Sequence, residues 1–150
     1  MSGPLGAQEV EGQPGWYHRG PFAPGHFAAV AVGRMQFRVE PDGTARCRFF
    51  PTELHLNISE SVHGGAVMSF IDMALFAGGH ICGMPEGHYV TLDCATHFIA
   101  PVMPGAPFDI VVRLVGATRG GMVFLSGHCE QDGATTHSFT GTLKRVKPRA

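Results

Sequence analysis

Between Gly65 and Gly79 the sequence reads GAVMSFIDMALFAGG, and Asp72 is its only charged residue. An ionised carboxylate beside Phe70, Ile71 and Met73 is costly unless it is hydrogen-bonded or solvated. Aspartate is also a poor residue for a helix interior. Two readings follow. Asp72 caps a backbone group or pairs with a base across an interface, or it is a carboxylate kept in an apolar cleft as a general base or nucleophile. His63-Gly64-Gly65 stands immediately upstream. A helix starting there presents unpaired N–H groups and favours negative charge. Glycine lets a ligand approach the backbone, so the Gly65 N–H could hold the oxygen of a polarised carbonyl. Asp72 lies about 10 Å further along the helix axis. One carbonyl cannot meet both groups of the same helix, so this chemistry asks for a site shared by two chains.

The elements that position these residues can be read from periodicity. Gly65 to Gly79 has no proline. Ala66, Val67, Phe70, Ile71, Ala74 and Leu75 fall on one helical face, with Met68, Met73 and Phe76 on the other, which predicts a buried helix. Gly78-Gly79 is its stop. Strand patterns run over Arg34–Glu40, Thr44–Phe50, His88–Ala100, Phe108–Thr118, Met122–Gln131 and Thr135–Val146. The alternation of Leu54, Leu56 and Ile58 leads into a polar loop at Ser59–Ser61. Pro41-Asp42-Gly43 and Asp132-Gly133 are turns, and Gly120-Gly121 permits a reversal. The expected class is α+β: an antiparallel sheet wrapped around one central helix, each burying an apolar face on the other. Residues 1–24, rich in Gly and Pro, are expected as a flexible or irregular arm. Its Trp16, Tyr17 and Phe22 either pack on the outside of the domain or edge a ligand mouth. The domain spans 25–147, and 148–150 form a polar tail.

A chain of 150 residues suits one domain. Charged residues make up 15% of it, against about 25% in ordinary soluble domains, which fits a surface partly covered by other subunits. The net charge of −1 lacks the basic excess expected of a nucleic-acid partner. Cys47, Cys82, Cys94 and Cys129 form no CxxC pair and read as free thiols of a reducing cytoplasm. There is no signal-peptide pattern and no apolar run of about 20 residues, so a soluble cytoplasmic protein without a membrane partner is expected. The nine His and four Cys show no HxxxH, CxxC or HxE spacing, and no metal site is expected.

The run Asn57-Ile58-Ser59-Glu60-Ser61-Val62-His63-Gly64-Gly65, continuing to Asp72, resembles the signature of the hot-dog-fold acyl-CoA thioesterases in their PaaI-like branch. Thr91-Leu92-Asp93-Cys94-Ala95-Thr96-His97-Phe98-Ile99-Ala100-Pro101 resembles the strand that follows in that family. The resemblance covers roughly Arg34 to Lys144. It implies hydrolysis of an acyl-CoA thioester, with Asp72 as base or nucleophile, Gly65 as oxyanion donor, and Asn57 and His63 positioning carbonyl or water. Thr91 would come from the partner subunit to orient water or substrate. It further implies a homodimer with composite sites, assembled as a dimer of dimers. CoA is then part of the substrate and no separate cofactor is required. The basic tip Arg119-Gly120-Gly121, with Lys144 and Arg145 behind it, either meets the CoA phosphates or is a solvated surface. Two alternatives remain. One is a non-catalytic acyl-CoA-binding module. The other is a hydroxyacyl thioester dehydratase, for which His97 to Gly105 is a poor match, one residue short and lacking a glycine.

Overall fold

The computed structural model describes residues 3–149. Met1 and Ser2 of the expected arm and Ala150 of the expected tail lie outside the described residues. The chain carries β1 (Gln8–Glu9), β2 (Tyr17–His18), β3 (Met35–Val39), β4 (Ala45–Phe49), α1 (Gly64–Ile81), β5 (His88–Phe98), β6 (Phe108–Ala117), β7 (Met122–Gln131) and β8 (Ala134–Val146). All strands join one antiparallel sheet in the order β1-β2-β3-β4-β6-β7-β8-β5. The order departs from the chain at β5, which follows α1 and takes the far edge beside β8. The expected hot-dog arrangement of one helix in an antiparallel sheet is what the chain adopts.

Turn chemistry sets the register. Thr44 donates to Asp42 Oδ1 from its N–H at 3.0 Å and its hydroxyl at 2.7 Å. Gly43 supplies the positive φ of 84° that closes β3 onto β4. Between β7 and β8, Asp132 and Gly133 both have positive φ, as a two-residue hairpin requires.

The helix rests on the sheet through Val67, Phe70, Ile71, Ala74, Leu75, Gly78 and Gly79, all buried. Phe70 meets Phe49 and Phe108 at ring centroid distances of 5.0 and 6.1 Å. Two glycines permit this closeness. A Cβ on Gly78 would lie 2.6 Å from Val112 Cβ, and one on Gly141 would lie 2.6 Å from Leu75 Cδ1. By length and composition α1 would also pass as a membrane span, with a mean hydropathy of 1.3, but its buried stripe is the domain core.

Two expectations change, and one stretch whose form the sequence left open takes a definite shape. Met68, Asp72, Met73 and Phe76 are half-buried, so α1 is covered on one face within a single chain. The Leu54, Leu56, Ile58 alternation is not a strand. Glu53–His55 form a 3-10 turn that Thr52 and His55 cap together, Leu56 alone bridges to Val62, and Leu54 and Ile58 are exposed. The N-terminal segment is irregular over most of its length but extends the sheet with β1 and β2, Tyr17 pairing with Phe37. Trp16 is buried under two guanidinium groups, Arg38 at 4.8 Å and Arg48 at 4.2 Å from its ring. Those arginines belong to an ion-pair network of Arg38, Glu40, Arg46, Arg48, Asp109 and Glu130 across β3, β4, β6 and β7.

Candidate active site

The residues singled out by chemistry fall into three groups. The first is Asp72 with Thr91. The Thr91 hydroxyl donates to Asp72 Oδ1 at 2.6 Å. Both belong to one chain, so Thr91 orients Asp72 of its own helix. The contact exists because β5 runs along the sheet edge beside α1. Thr91 lies opposite Leu143 of β8, immediately before a register shift between Thr91 and Asp93. Such a bulge re-aims the side chains around it. The bond fixes one oxygen of Asp72, and Oδ2 has no partner among the described residues. A half-buried carboxylate held by one oxygen, with the other free, is equipped to take a proton from water or to attack a carbonyl. Its charge reaches Cys94, whose thiol is pushed up chiefly by burial and further by Asp72 and Asp93.

The second group is the start of α1. His63 is the N-cap, and its Nδ1 accepts the Gly65 N–H at 2.8 Å. An accepting Nδ1 places the ring proton on Nε2. The Gly65 donor assigned to a carbonyl oxygen is therefore engaged by the ring of His63, while the Gly64 N–H has no partner among the described residues. Phe98 lies across this turn, and a Cβ on Gly64 would come within 3.3 Å of its ring. Phe98 in turn meets the buried His137 edge-on at 4.8 Å. Nothing in the sequence pattern marks Phe98 for this place. Asn57 is turned to its own loop. Its Oδ1 accepts the N–H groups of Ser59 and Ser61 at 2.8 and 3.3 Å, and its Nδ2 donates to Ser61 Oγ at 3.1 Å. It shapes the approach to His63 without bonding to Asp72.

The third group is the tip between β6 and β7. Arg119, Gly120 and Gly121 sit in a turn closed by the Gly121 N–H on Thr118 O at 3.0 Å. Gly121 has a φ of 88° and packs on Arg145, and Lys144 donates to Gly120 O. Arg119, Lys144 and Arg145 make no ion pair among the described residues. The register places Arg145 opposite Tyr89 and Leu143 opposite Thr91. The basic cluster thus lies two residues along β8 from the Thr91 contact.

A cavity of about 700 Å³ was not legible in the sequence. It lies between the N-terminal segment, β3 and the uncovered face of α1, where Met73, Phe76, Ala77 and His80 line it. Gln36 is also part of its lining, and its Oε1 is a buried acceptor without a partner among the described residues.

The thioesterase superfamily model matches residues 60–135. The chain belongs to the thioesterase superfamily. The matched stretch of this thioesterase-superfamily chain holds His63, Gly64, Gly65, Asp72, Thr91 and Arg119-Gly120-Gly121, and leaves Asn57 and the N-terminal segment outside it. Solved structures share the fold. One is a mutant of the phenylacetic acid degradation protein PaaI from Thermus thermophilus, at 21% identity and a TM-score of 0.66, over 80% of this chain and 98% of that one. Another is the PaaI protein of E. coli, at 20% identity and a TM-score of 0.68, over 82% and 86%. A third is a hypothetical thioesterase protein with coenzyme A from Streptococcus pneumoniae, at 16% identity and a TM-score of 0.66, over 80% and 91%. Among curated proteins, none matches this sequence.

Proposed function

We propose that this protein hydrolyses acyl-CoA thioesters, with Asp72 as the carboxylate that activates water or attacks the thioester carbonyl. The observation that carries the reading is the half-buried Asp72 on α1, pinned through one oxygen by Thr91 in a chain of the thioesterase superfamily. Within one helix the Gly64-Gly65 donors and Asp72 are about 10 Å apart. The reading therefore pairs the helix start of one copy with Asp72 of a second. Two features support a second copy. β5 is an edge strand with a neighbour on one side only, and Val90, Leu92, Phe98 and Ile99 lie exposed along it and just beyond. An unprotected apolar edge invites pairing. Further pairing of such dimers into a tetramer is part of the same proposal.

At the helix start a substrate carbonyl takes the donor field of α1 in place of the His63 ring, with the free Gly64 N–H adjacent. The basic tip at Arg119, backed by Lys144 and Arg145, is assigned to the CoA phosphates, since three cations without acidic partners among the described residues favour an anion. Coenzyme A bound to the Streptococcus pneumoniae relative supports an acyl-CoA substrate. No separate cofactor takes part in this reading.

The test is steady-state release of free CoA thiol from aryl, short-chain and medium-chain acyl-CoAs by the wild type and by Asp72→Asn. The substitution keeps the shape and removes the base, so kcat falls on the order of 10²-fold or more with acyl-CoA still bound. Equal rates in the two proteins would remove Asp72 from the chemistry. Binding without turnover in both would leave an acyl-CoA-binding module.

A further inference from the structure

We infer that the cavity between the N-terminal segment and α1 receives the acyl group, and that the N-terminal segment sets which acyl groups are accepted; this rests on the thioesterase reading above. Three observations lead there. The first is position. Met73 and Phe76 line the cavity. Met73 follows Asp72 directly, and Phe76 lies one turn on, about 40° round the helix from it. A ligand whose reacting carbon meets Asp72 is therefore within about one helical turn of side chains that line the cavity. The second is size and lining. About 700 Å³ falls within the ~300–1,000 Å³ of sites that bury a drug-sized ligand, and far exceeds an acetyl group. Phe22 of the N-terminal segment and Ala29, in the stretch that joins it to β3, line the cavity together with Met35 and Phe37 of β3. The ionisable residues of the lining are Arg19, Arg34, His18 and His80, with no Asp or Glu among them, and the rest is mostly apolar. The third is origin. The roof is built from residues before the stretch matched by the superfamily. It is placed over the helix face that the sheet leaves half-open.

Filling the cavity from the roof tests this away from the catalytic groups. In the Asp72→Asn protein, chosen to suppress turnover during the measurement, affinities for acetyl-CoA and decanoyl-CoA are measured by titration calorimetry. Decanoyl-CoA binds on the order of 10²-fold more tightly, because buried methylenes each add affinity. Adding Ala29→Trp narrows the cavity and reduces that gain to about 3-fold or less, while acetyl-CoA, whose two-carbon acyl group does not extend to the roof, keeps its affinity, which also shows that the fold is intact. Phe22→Ala, which opens the roof, serves as the second variant and lowers the gain about 10-fold. A gain that survives Ala29→Trp and Phe22→Ala, or no gain in the Asp72→Asn protein itself, would overturn the assignment. The readout needs no hydrolysis. If the wild type releases no thiol while the gain is present and sensitive to Ala29→Trp, the hydrolase reading falls and the acyl pocket stands. Hydrolysis with an insensitive gain does the reverse.

Discussion

Asp72 stands out in the sequence because a carboxylate in an apolar helix must be held by something. The structure supplies Thr91, at 2.6 Å on its own chain. A hydrogen bond to a charged group fixes orientation as well as energy. Thr91→Val therefore lowers kcat about 10-fold with KM little changed, and Thr91→Ser restores it. A fall in KM and kcat together, or no rescue by serine, would show that Thr91 only packs. Asp72 was legible because its type contradicts its surroundings. Thr91 was visible as a residue, but a threonine in a strand carries no such contradiction, and its partner depends on which edge β5 takes. Asn57 was legible as a motif member, yet its side chain is spent on Ser59 and Ser61. The spacing Asn57, His63, Asp72 survives in the fold as a loop brace, a helix cap and a carboxylate, three different tasks.

At the level of elements, α1 lies close to the sheet because glycine stands where a methyl group would collide. Gly78→Ala drives a Cβ to 2.6 Å from Val112, which is fully buried and stiff at χ1. Helix propensity alone favours alanine there, so the sign of the effect decides between propensity and packing. Overpacking of this kind costs about 1–3 kcal/mol. The expected outcome is a lower denaturation midpoint for Gly78→Ala in urea with an unchanged slope. Hairpins and most strands were legible, since alternation and the Asp132-Gly133 turn are local. The segment from Leu54 to Ile58 was not, because alternating leucines are equally consistent with a capped 3-10 turn once Thr52 and His55 bond to each other.

Over the whole molecule, two properties follow from how the elements assemble. Burial holds His137 below its ordinary value of 6.5. Below that pH the unfolded chain takes a proton that the folded chain refuses, so stability falls as pH drops. The Arg46 hydrogen bond, opposed by burial and aided by His128, holds Glu130 below 4.5. Its contribution is present above that pH and is lost as pH falls through the lowered value. Thermal melts should lose stability in two stages, one below about pH 6.5 and one below about pH 4.5, and His137→Leu should flatten the first. The proposed assembly of two copies is the other. Leu92 is 54% exposed on the β5 edge, and Leu92→Arg should turn a sedimenting species of at least two chains into a monomer and abolish thiol release, because each site then lacks its second helix. A wild-type monomer with full activity would sink the shared site. What the sequence determined by itself is local and compositional: one helix whose apolar residues fall on a face, strands and turns in order, one carboxylate out of place, and glycines before it. The tertiary structure decided what depends on contacts distant along the chain. It set β5 on the far edge so that Thr91 reaches Asp72, turned His63 onto the Gly65 donor, stacked Arg38 and Arg48 on Trp16, and folded an irregular segment beside the half-open face of α1 to form a cavity. Periodicity reports which face of an element is apolar, but a cavity is the space left between elements and has no period to read.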